Sequence, residues 1–154
     1  MKKLTTLLLS GVLILGAAAC SNTEKTAANA PDSPQASPEA PKAEDIQAAK
    51  KDAQADVRRN QANANIKARE ERNNALNEGK GENRSDKDLA SEVASKLEVN
   101  IPASALVVKS DKGVVTVSGT VTKQEQIQKI DTLAKQIKGV KQVENKATVV
   151  APKP

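Results

Sequence analysis

The sequence contains no phenylalanine, tryptophan, tyrosine or histidine, and it has a single cysteine. Histidine is the commonest general base and metal ligand, so its absence excludes a Ser-His-Asp or Cys-His triad and any histidine-based zinc or haem site in this chain. Without aromatic rings there is no stacking against unpaired bases and no aromatic anchor at a membrane interface. The composition therefore predicts a protein that is not an enzyme and that binds no cofactor or metal.

Hydrophobic residues are also scarce, at 38% of the chain, below the ~45–50% typical of soluble domains. Much of the chain is therefore expected to lie outside a packed core. The formal net charge is +5, and the excess lies in residues 1–19 and 85–154, while residues 20–84 are neutral overall. So small an excess, without a dense basic patch, indicates that nucleic acid is not a partner.

The first twenty residues have the order of a secretory signal peptide. Met1-Lys2-Lys3 is basic, residues 4–15 are apolar apart from small or hydroxylated side chains, and small residues at 16–19 precede Cys20. Two alternatives are a membrane anchor and an ordinary secretory signal. The first is disfavoured because the 16 residues from 4 to 19 fall short of the ~20 that a spanning helix needs. The second would leave a lone cysteine unpaired in an oxidising compartment.

The run ending at Cys20 resembles a bacterial lipobox, although Ala17 stands where that motif most often has leucine. The resemblance implies that the signal peptide, residues 1–19, is removed, that the Cys20 thiol carries diacylglycerol and that the new amino terminus is acylated. The expected location is the cell envelope, with the protein facing the periplasm. Ser21 resembles a sorting signal that favours the outer over the inner membrane.

Two segments of different character separate Cys20 from the C-terminal part. Residues 20–41 contain four prolines and no large apolar side chain, so we expect a lipidated, disordered linker. Residues 42–84 are rich in alanine and other helix formers, which predicts a helical or partly disordered stalk. Its apolar face is thin, so a fraying helix with no partner is favoured over a weak coiled-coil seam. Gly79-Lys80-Gly81 ends this segment.

Residues 85–150 begin with the pattern of an amphipathic helix. Ser85 and Asp88 have the spacing of a capping box, with aspartate in place of glutamate. Leu89, Val93 and Leu97 then recur on one helical face. Ile101-Pro102 ends the helix.

Two β-rich runs follow, at residues 106–110 and 114–121, and Asp111-Lys112-Gly113 between them predicts a hairpin. Thr122 and Glu125 form a second capping box, which begins a helix that is expected to end at Gly139 as its C-cap. Alternating residues at 143–149 predict a third strand.

The element order is therefore α-β-β-α-β, an α+β fold with a three-stranded mixed sheet packed by two helices. The second strand, second helix and third strand form a βαβ unit, so the second and third strands should be parallel, with both helices on one face of the sheet. Residues 151–154 form a tail.

Residues 85–150 resemble a BON domain, the small module named after bacterial osmotically induced and nodulation proteins. The resemblance lies in the first helix, in the run of residues 112–121 that ends Ser118-Gly119-Thr120-Val121, and in Lys138-Gly139-Val140 followed by Val143. It implies a domain associated with membrane integrity and with binding phospholipid or other envelope components.

The candidate site residues are lysines and glycines. Lysines of the second helix and of the turn after it are candidates for contact with an anionic surface, namely Lys129, Lys135, Lys138 and Lys141. An ordinary solvated helix face is the competing interpretation. Three glycines are expected at turns or close contacts, namely Gly113, Gly119 and Gly139. For Gly119 we favour close packing against a helix over a role in ligand approach.

Two functions stay open at this point. The first is a non-enzymatic envelope lipoprotein, joined to the membrane by its lipid anchor, whose domain binds anionic phospholipid headgroups to support membrane integrity or stress tolerance. The second is an adaptor that binds an envelope protein or peptidoglycan through the stalk or an open sheet edge.

Overall fold

A computed structural model describes residues 22–36 and 40–152 of the chain. The described residues form four helices and four strands. In chain order they are β1 (Thr23–Lys25), α1 (Ala43–Gln54), α2 (Asp56–Asn77), α3 (Asp86–Asn100), β2 (Ala105–Asp111), β3 (Val114–Val121), α4 (Gln124–Lys135) and β4 (Gln142–Val149).

The C-terminal half has the α-β-β-α-β order that the sequence predicts, and the α+β class is confirmed. Strands β2 and β3 form the antiparallel hairpin around residues 111–113. Strands β3 and β4 are parallel, with Val114 opposite Gln142 and Val121 opposite Val149. The β3-α4-β4 unit is therefore the βαβ crossover that the sequence predicts.

The sheet has four strands rather than the predicted three, in the order β1-β2-β3-β4. The additional strand β1 pairs antiparallel with β2, and it comes from the segment expected to be a disordered linker. Its side chains give no hydrophobic signal because the strand is held by its backbone. The Thr26 N–H donates to the Leu106 carbonyl at 2.9 Å, and the Ser110 N–H donates to the Asn22 carbonyl at 3.1 Å.

The core is aliphatic and lies between the sheet and helices α3 and α4. Because there are no aromatic side chains, the space is filled by leucine, isoleucine, valine and alanine. The largest fully buried members are Leu89, Leu97, Ile101, Leu106 and Ile130. The predicted apolar faces of both helices thus lie against the core.

The predicted N-cap of α3 is confirmed, whereas the start of α4 differs from the prediction. Ser85 is the N-cap of α3, and its side chain accepts from the Asp88 N–H at 3.5 Å. Helix α4 begins one residue later than predicted, because the side chain of Gln126, rather than Glu125, reaches back. Its Oε1 accepts from the N–H groups of Thr122 at 2.9 Å and Lys123 at 3.0 Å.

Helix α4 ends at Lys135, so Gly139 is not its C-cap as predicted. Gly139 instead lies in the turn between α4 and β4, with φ +98°. The Val140 N–H donates to the Ile137 carbonyl at 3.1 Å, which closes this turn.

The segment 42–84 contains two helices, and α2 packs against α3 rather than standing free. The contacts are largely polar. The Asn65 Nδ2 donates to Ser95 Oγ at 2.7 Å, and Arg58 pairs with Glu98. Ala62 is the buried residue of α2. Small and hydrogen-bonding residues make the contact between α2 and α3. The hydrophobic pattern of the sequence therefore could not predict that α2 packs against another helix.

Gly119 lies where β3 meets β2. Its φ is +119°, and a Cβ built there would overlap the carbonyl oxygen of Ala105. The close contact is therefore with the neighbouring strand and not, as the sequence predicted, with a helix. A side chain at this position requires the two strands to separate.

Candidate functional site

Three turns meet at one end of the domain, and we call this region the turn end. They are the hairpin turn at residues 111–113, the loop at 79–84 and the turn at 136–141. The Lys141 N–H donates to the Gly113 carbonyl at 2.8 Å, which joins the hairpin to the start of β4. Between them lies an open cleft of about 360 Å³.

Glycine is required where these turns touch. Gly113 has φ +85°, and a Cβ there would lie 2.9 Å from the carbonyl oxygen of Gly139. At Gly139, an added Cβ would lie 2.8 Å from the carbonyl oxygen of Gly81. Gly113 and Gly139, two of the glycines predicted at turns or close contacts, thus both lie in close contacts. Gly81, from the run that was predicted to end the stalk segment, belongs to the same junction.

Asp86, at the start of α3, holds the hairpin turn. Its carboxylate accepts from Ser110 Oγ at 2.6 Å, from the Lys112 N–H at 2.8 Å and from the Gly113 N–H at 3.1 Å. Burial by itself raises the pKa of Asp86, but these hydrogen bonds and the nearby charge of Lys141 outweigh it, and the net pKa is lowered. An ionised carboxylate therefore fixes the turn that carries Lys112.

A buried ion pair between Arg84 and Glu92 ties the loop at 79–84 to α3. The two side chains are 1% and 0% exposed. Arg84 also donates to the carbonyl oxygen of Lys138 at 2.6 Å, so one guanidinium joins α3 to the turn after α4. Burial raises the pKa of Glu92, an effect that the Arg84 charge and hydrogen bond oppose.

This pair was not predicted from the sequence, although the sequence carries a signal for Glu92. Glu92 lies three residues after Leu89 and next to Val93 in the sequence, which places it beside the apolar face of α3. A carboxylate in that position must be paired when the face is buried. Arg84 carries no comparable signal, because it lies outside the helix and its partners are distant in the chain.

Four exposed lysines lie in these turns. Lys80 pairs with Glu78, and the other three are Lys112, Lys138 and Lys141. The side chain of Lys141 lies along Gly113, and that of Lys138 lies beside Gly81. Within residues 22–36 and 40–152, no carboxylate oxygen lies within 4.0 Å of the ammonium groups of these three lysines. The structure thus brings two predicted lysines together and adds Lys112, which the sequence analysis read only as a turn residue.

The other two predicted lysines lie elsewhere. Lys129 lines a separate, shallow groove of about 510 Å³ with Asn100 and Leu133. It is nine residues before Lys138 and lies in the middle of α4, so it is not part of the turn end. Lys135 is exposed in the last turn of α4. The predicted cluster of four is therefore two lysines at the turn end, one at the end of the helix and one apart from them.

The chemistry available at the turn end is attraction of anions. Of the carboxylates in and beside these turns, Asp86 is engaged by the hairpin and Glu92 by Arg84, while Glu82 and Asp111 are exposed and lower the local positive charge. Across the described residues, no three metal-ligating side chains lie close enough to hold a metal ion. Lysine ammonium groups on short turns are suited to phosphate headgroups, which they attract as point charges.

The predicted lipidation site, Cys20, lies outside the described residues. Among the helices that the structure does describe, none is both long enough and apolar enough to span a bilayer.

A family model described as the BON domain matches residues 85–151. Its boundaries enclose α3, β2, β3, α4 and β4, together with the turn-end lysines. The chain contains a BON domain at these residues. The resemblance seen in the sequence is thereby confirmed, and residues 22–84 lie outside the matched region. No curated protein and no solved structure matched the chain.

The BON domain points to an envelope protein that associates with membranes or phospholipid, and BON domains are generally non-enzymatic. The generally non-enzymatic character of BON domains agrees with the absence of histidine from the sequence. The family match does not identify the surface that would contact a membrane. The turn end is the candidate that the geometry of the described residues offers.

Proposed function

We propose that this protein is a non-enzymatic lipoprotein of the bacterial envelope, anchored through Cys20, whose BON domain binds anionic phospholipid headgroups through the turn end. The observation that carries the proposal is the convergence of Lys112, Lys138 and Lys141 on turns fixed by Asp86 and Arg84. The lysines are exposed, while the groups that position their backbones are buried or hydrogen-bonded.

The expected strength of this contact is modest. Each lysine near an anionic membrane surface contributes about 1 kcal/mol, so three contribute about 3 kcal/mol. A lipid anchor supplies the second signal that makes a weak contact sufficient for stable association. The proposed role is support of membrane integrity from the periplasmic side, with the outer membrane favoured by Ser21.

The alternative is an adaptor that recruits a protein strand to the sheet edge, and the structure offers it less support. Strand β1 already covers the edge of β2. At the β4 edge, the N–H groups of Gln142 and Val150 point toward β3. The odd-numbered amides therefore face outward, and the Ala147 amide is taken by Asn145 Oδ1 at 3.1 Å. An added strand would lose that donor.

Replacing Lys112, Lys138 and Lys141 together with glutamine is expected to weaken binding to anionic vesicles about 100-fold, the equivalent of about 3 kcal/mol. Glutamine keeps most of the side-chain stem while removing the charge. Flotation of the chain from Ser21 onward, with vesicles of phosphatidylglycerol and phosphatidylethanolamine, measures the affinity. Binding of the unmodified chain should also weaken as salt rises.

The matched control replaces Lys51, Lys123 and Lys129 with glutamine. These three lysines are exposed and lie outside the turn end. The control variant has the same net charge and should keep most of the affinity. Equal losses in both triple variants would show that net charge alone drives binding. An unchanged affinity in a folded turn-end variant would reject the surface and favour the adaptor.

A further inference from the structure

Strand β1 is short, but it is held at both ends. The Ser110 N–H donates to the Asn22 carbonyl just before the strand. Just after it, Thr26 is buried, and its Oγ1 accepts from the Leu106 N–H at 2.9 Å. The Thr26 N–H donates in turn to the Leu106 carbonyl at 2.9 Å. Residues 22–26, which follow closely after the predicted lipidation site, are thus hydrogen-bonded into the sheet.

The direction of β1 decides where the chain enters the domain. Thr23 lies opposite Lys109 and Lys25 lies opposite Val107, so the strand runs away from the hairpin turn. Asn22, the first described residue, therefore lies at the turn end, where the Ser110 N–H donates to its carbonyl. Cys20 is two residues before Asn22, and two extended residues span at most about 7 Å.

We propose that β1 orients the BON domain on the membrane, with the turn end facing the bilayer to which Cys20 is anchored. This inference rests on the anchoring in the proposed function, but it does not require the lysines to bind lipid. The opposite end, where β3 ends and α4 begins, lies about 23 Å farther along β3, seven residues at about 3.3 Å each. That end faces away from the membrane.

This arrangement changes the expected role of residues 20–41. A disordered linker of that length would let the domain stand off from the surface and rotate freely. With β1 in the sheet, only the residues before Asn22 separate the anchor from the domain. The turn-end lysines are then kept at high effective concentration next to the headgroups, which allows a weak attraction to act.

The composition makes a direct test possible, because the chain has no tryptophan and only one cysteine. The chain from Cys20 onward is coupled through this thiol to a maleimide lipid in neutral phosphatidylcholine vesicles with brominated acyl chains. Asp111→Trp places a probe at the turn end, and Glu125→Trp places one at the opposite end. Both positions are exposed carboxylates, so the change in charge is the same.

The expected result is that bromine quenches most of the fluorescence of the Asp111→Trp probe and little of that of the Glu125→Trp probe. Equal quenching of the two, or stronger quenching at position 125, would overturn the proposed orientation. Lys109→Trp is a second turn-end probe, also exposed, for use if the first variant does not give the native circular dichroism spectrum.

A strand-breaking variant tests whether β1 causes the orientation. Glu24 is the central residue of β1, opposite Val108, and a proline there cannot donate to the sheet. Glu24→Pro should make quenching of the two probes similar, while Glu24→Ala should keep the difference. If Glu24→Pro left the difference unchanged, β1 would not be the cause. Neutral lipid gives the lysines no anionic surface, so failure here is distinguishable from failure of the turn-end lysines in flotation.

Discussion

Replacing Arg84 with methionine is expected to lower the free energy of unfolding by about 3–5 kcal/mol, because the change leaves the carboxylate of Glu92 buried without its partner. Glu92 is 0% exposed, so water cannot replace the lost guanidinium without opening the structure. The bond from Arg84 to the Lys138 carbonyl is lost as well. Urea unfolding followed by circular dichroism measures the loss.

The size of this effect is large for the domain, since ~67 residues at ~0.05–0.15 kcal/mol each give a net stability of only about 3–10 kcal/mol. The control is the double variant Arg84→Met with Glu92→Leu, which removes both charges and should recover most of the stability. A single variant as stable as the unmodified protein would show that the pair is not buried in solution. A double variant no better than the single one would show that the loss comes from Arg84's other contacts.

Gly119→Ala is expected to lower the free energy of unfolding by about 3 kcal/mol or more. The backbone strain of a side chain at a positive φ contributes about 1–3 kcal/mol, and the overlap with the Ala105 carbonyl adds to it. The strands must move apart to accommodate the methyl group, which weakens the β2-β3 pairing near its end. Thermal unfolding of the variant should show a clear drop in the midpoint temperature.

Thr116→Ala is the matched control for this prediction. It lies in the same strand, three residues earlier, and has no positive φ. Its expected cost is within the ~1 kcal/mol range of strand propensities. Similar losses for the two variants would mean that Gly119 is an ordinary strand residue.

The parts of the fold that are visible in the sequence are those held by aliphatic side chains at regular spacing. Leu89, Val93 and Leu97 mark the core face of α3, and the valines of β3 mark a buried strand. Asp111-Lys112-Gly113 marks the hairpin because only a turn needs glycine there. These signals are local, so reading along the chain finds them.

The parts that the sequence does not reveal depend on polar contacts between distant residues. Strand β1 is held by backbone bonds to β2, such as that from the Thr26 N–H to the Leu106 carbonyl, and helix α2 is held by pairs such as Asn65 with Ser95. Neither contact leaves a hydrophobic pattern. The same reason explains the partial success with the lysines. A helix that ended at Gly139, as the sequence predicted, would carry both Lys135 and Lys138, whereas α4 ends at Lys135 and the turn that follows carries Lys138 and Lys141 toward the hairpin.

The central claim is that the turn end is the surface that meets anionic lipid. The most direct measurement is a residue-by-residue comparison of amide NMR signals of the chain from Ser21 onward, with and without nanodiscs containing phosphatidylglycerol. We expect broadening or shifts of the amides at residues 111–113 and 138–142 and of Asn22, with the groove at Lys129 unaffected. Changes confined to α2, to the Lys129 groove or to the β4 edge would contradict the claim.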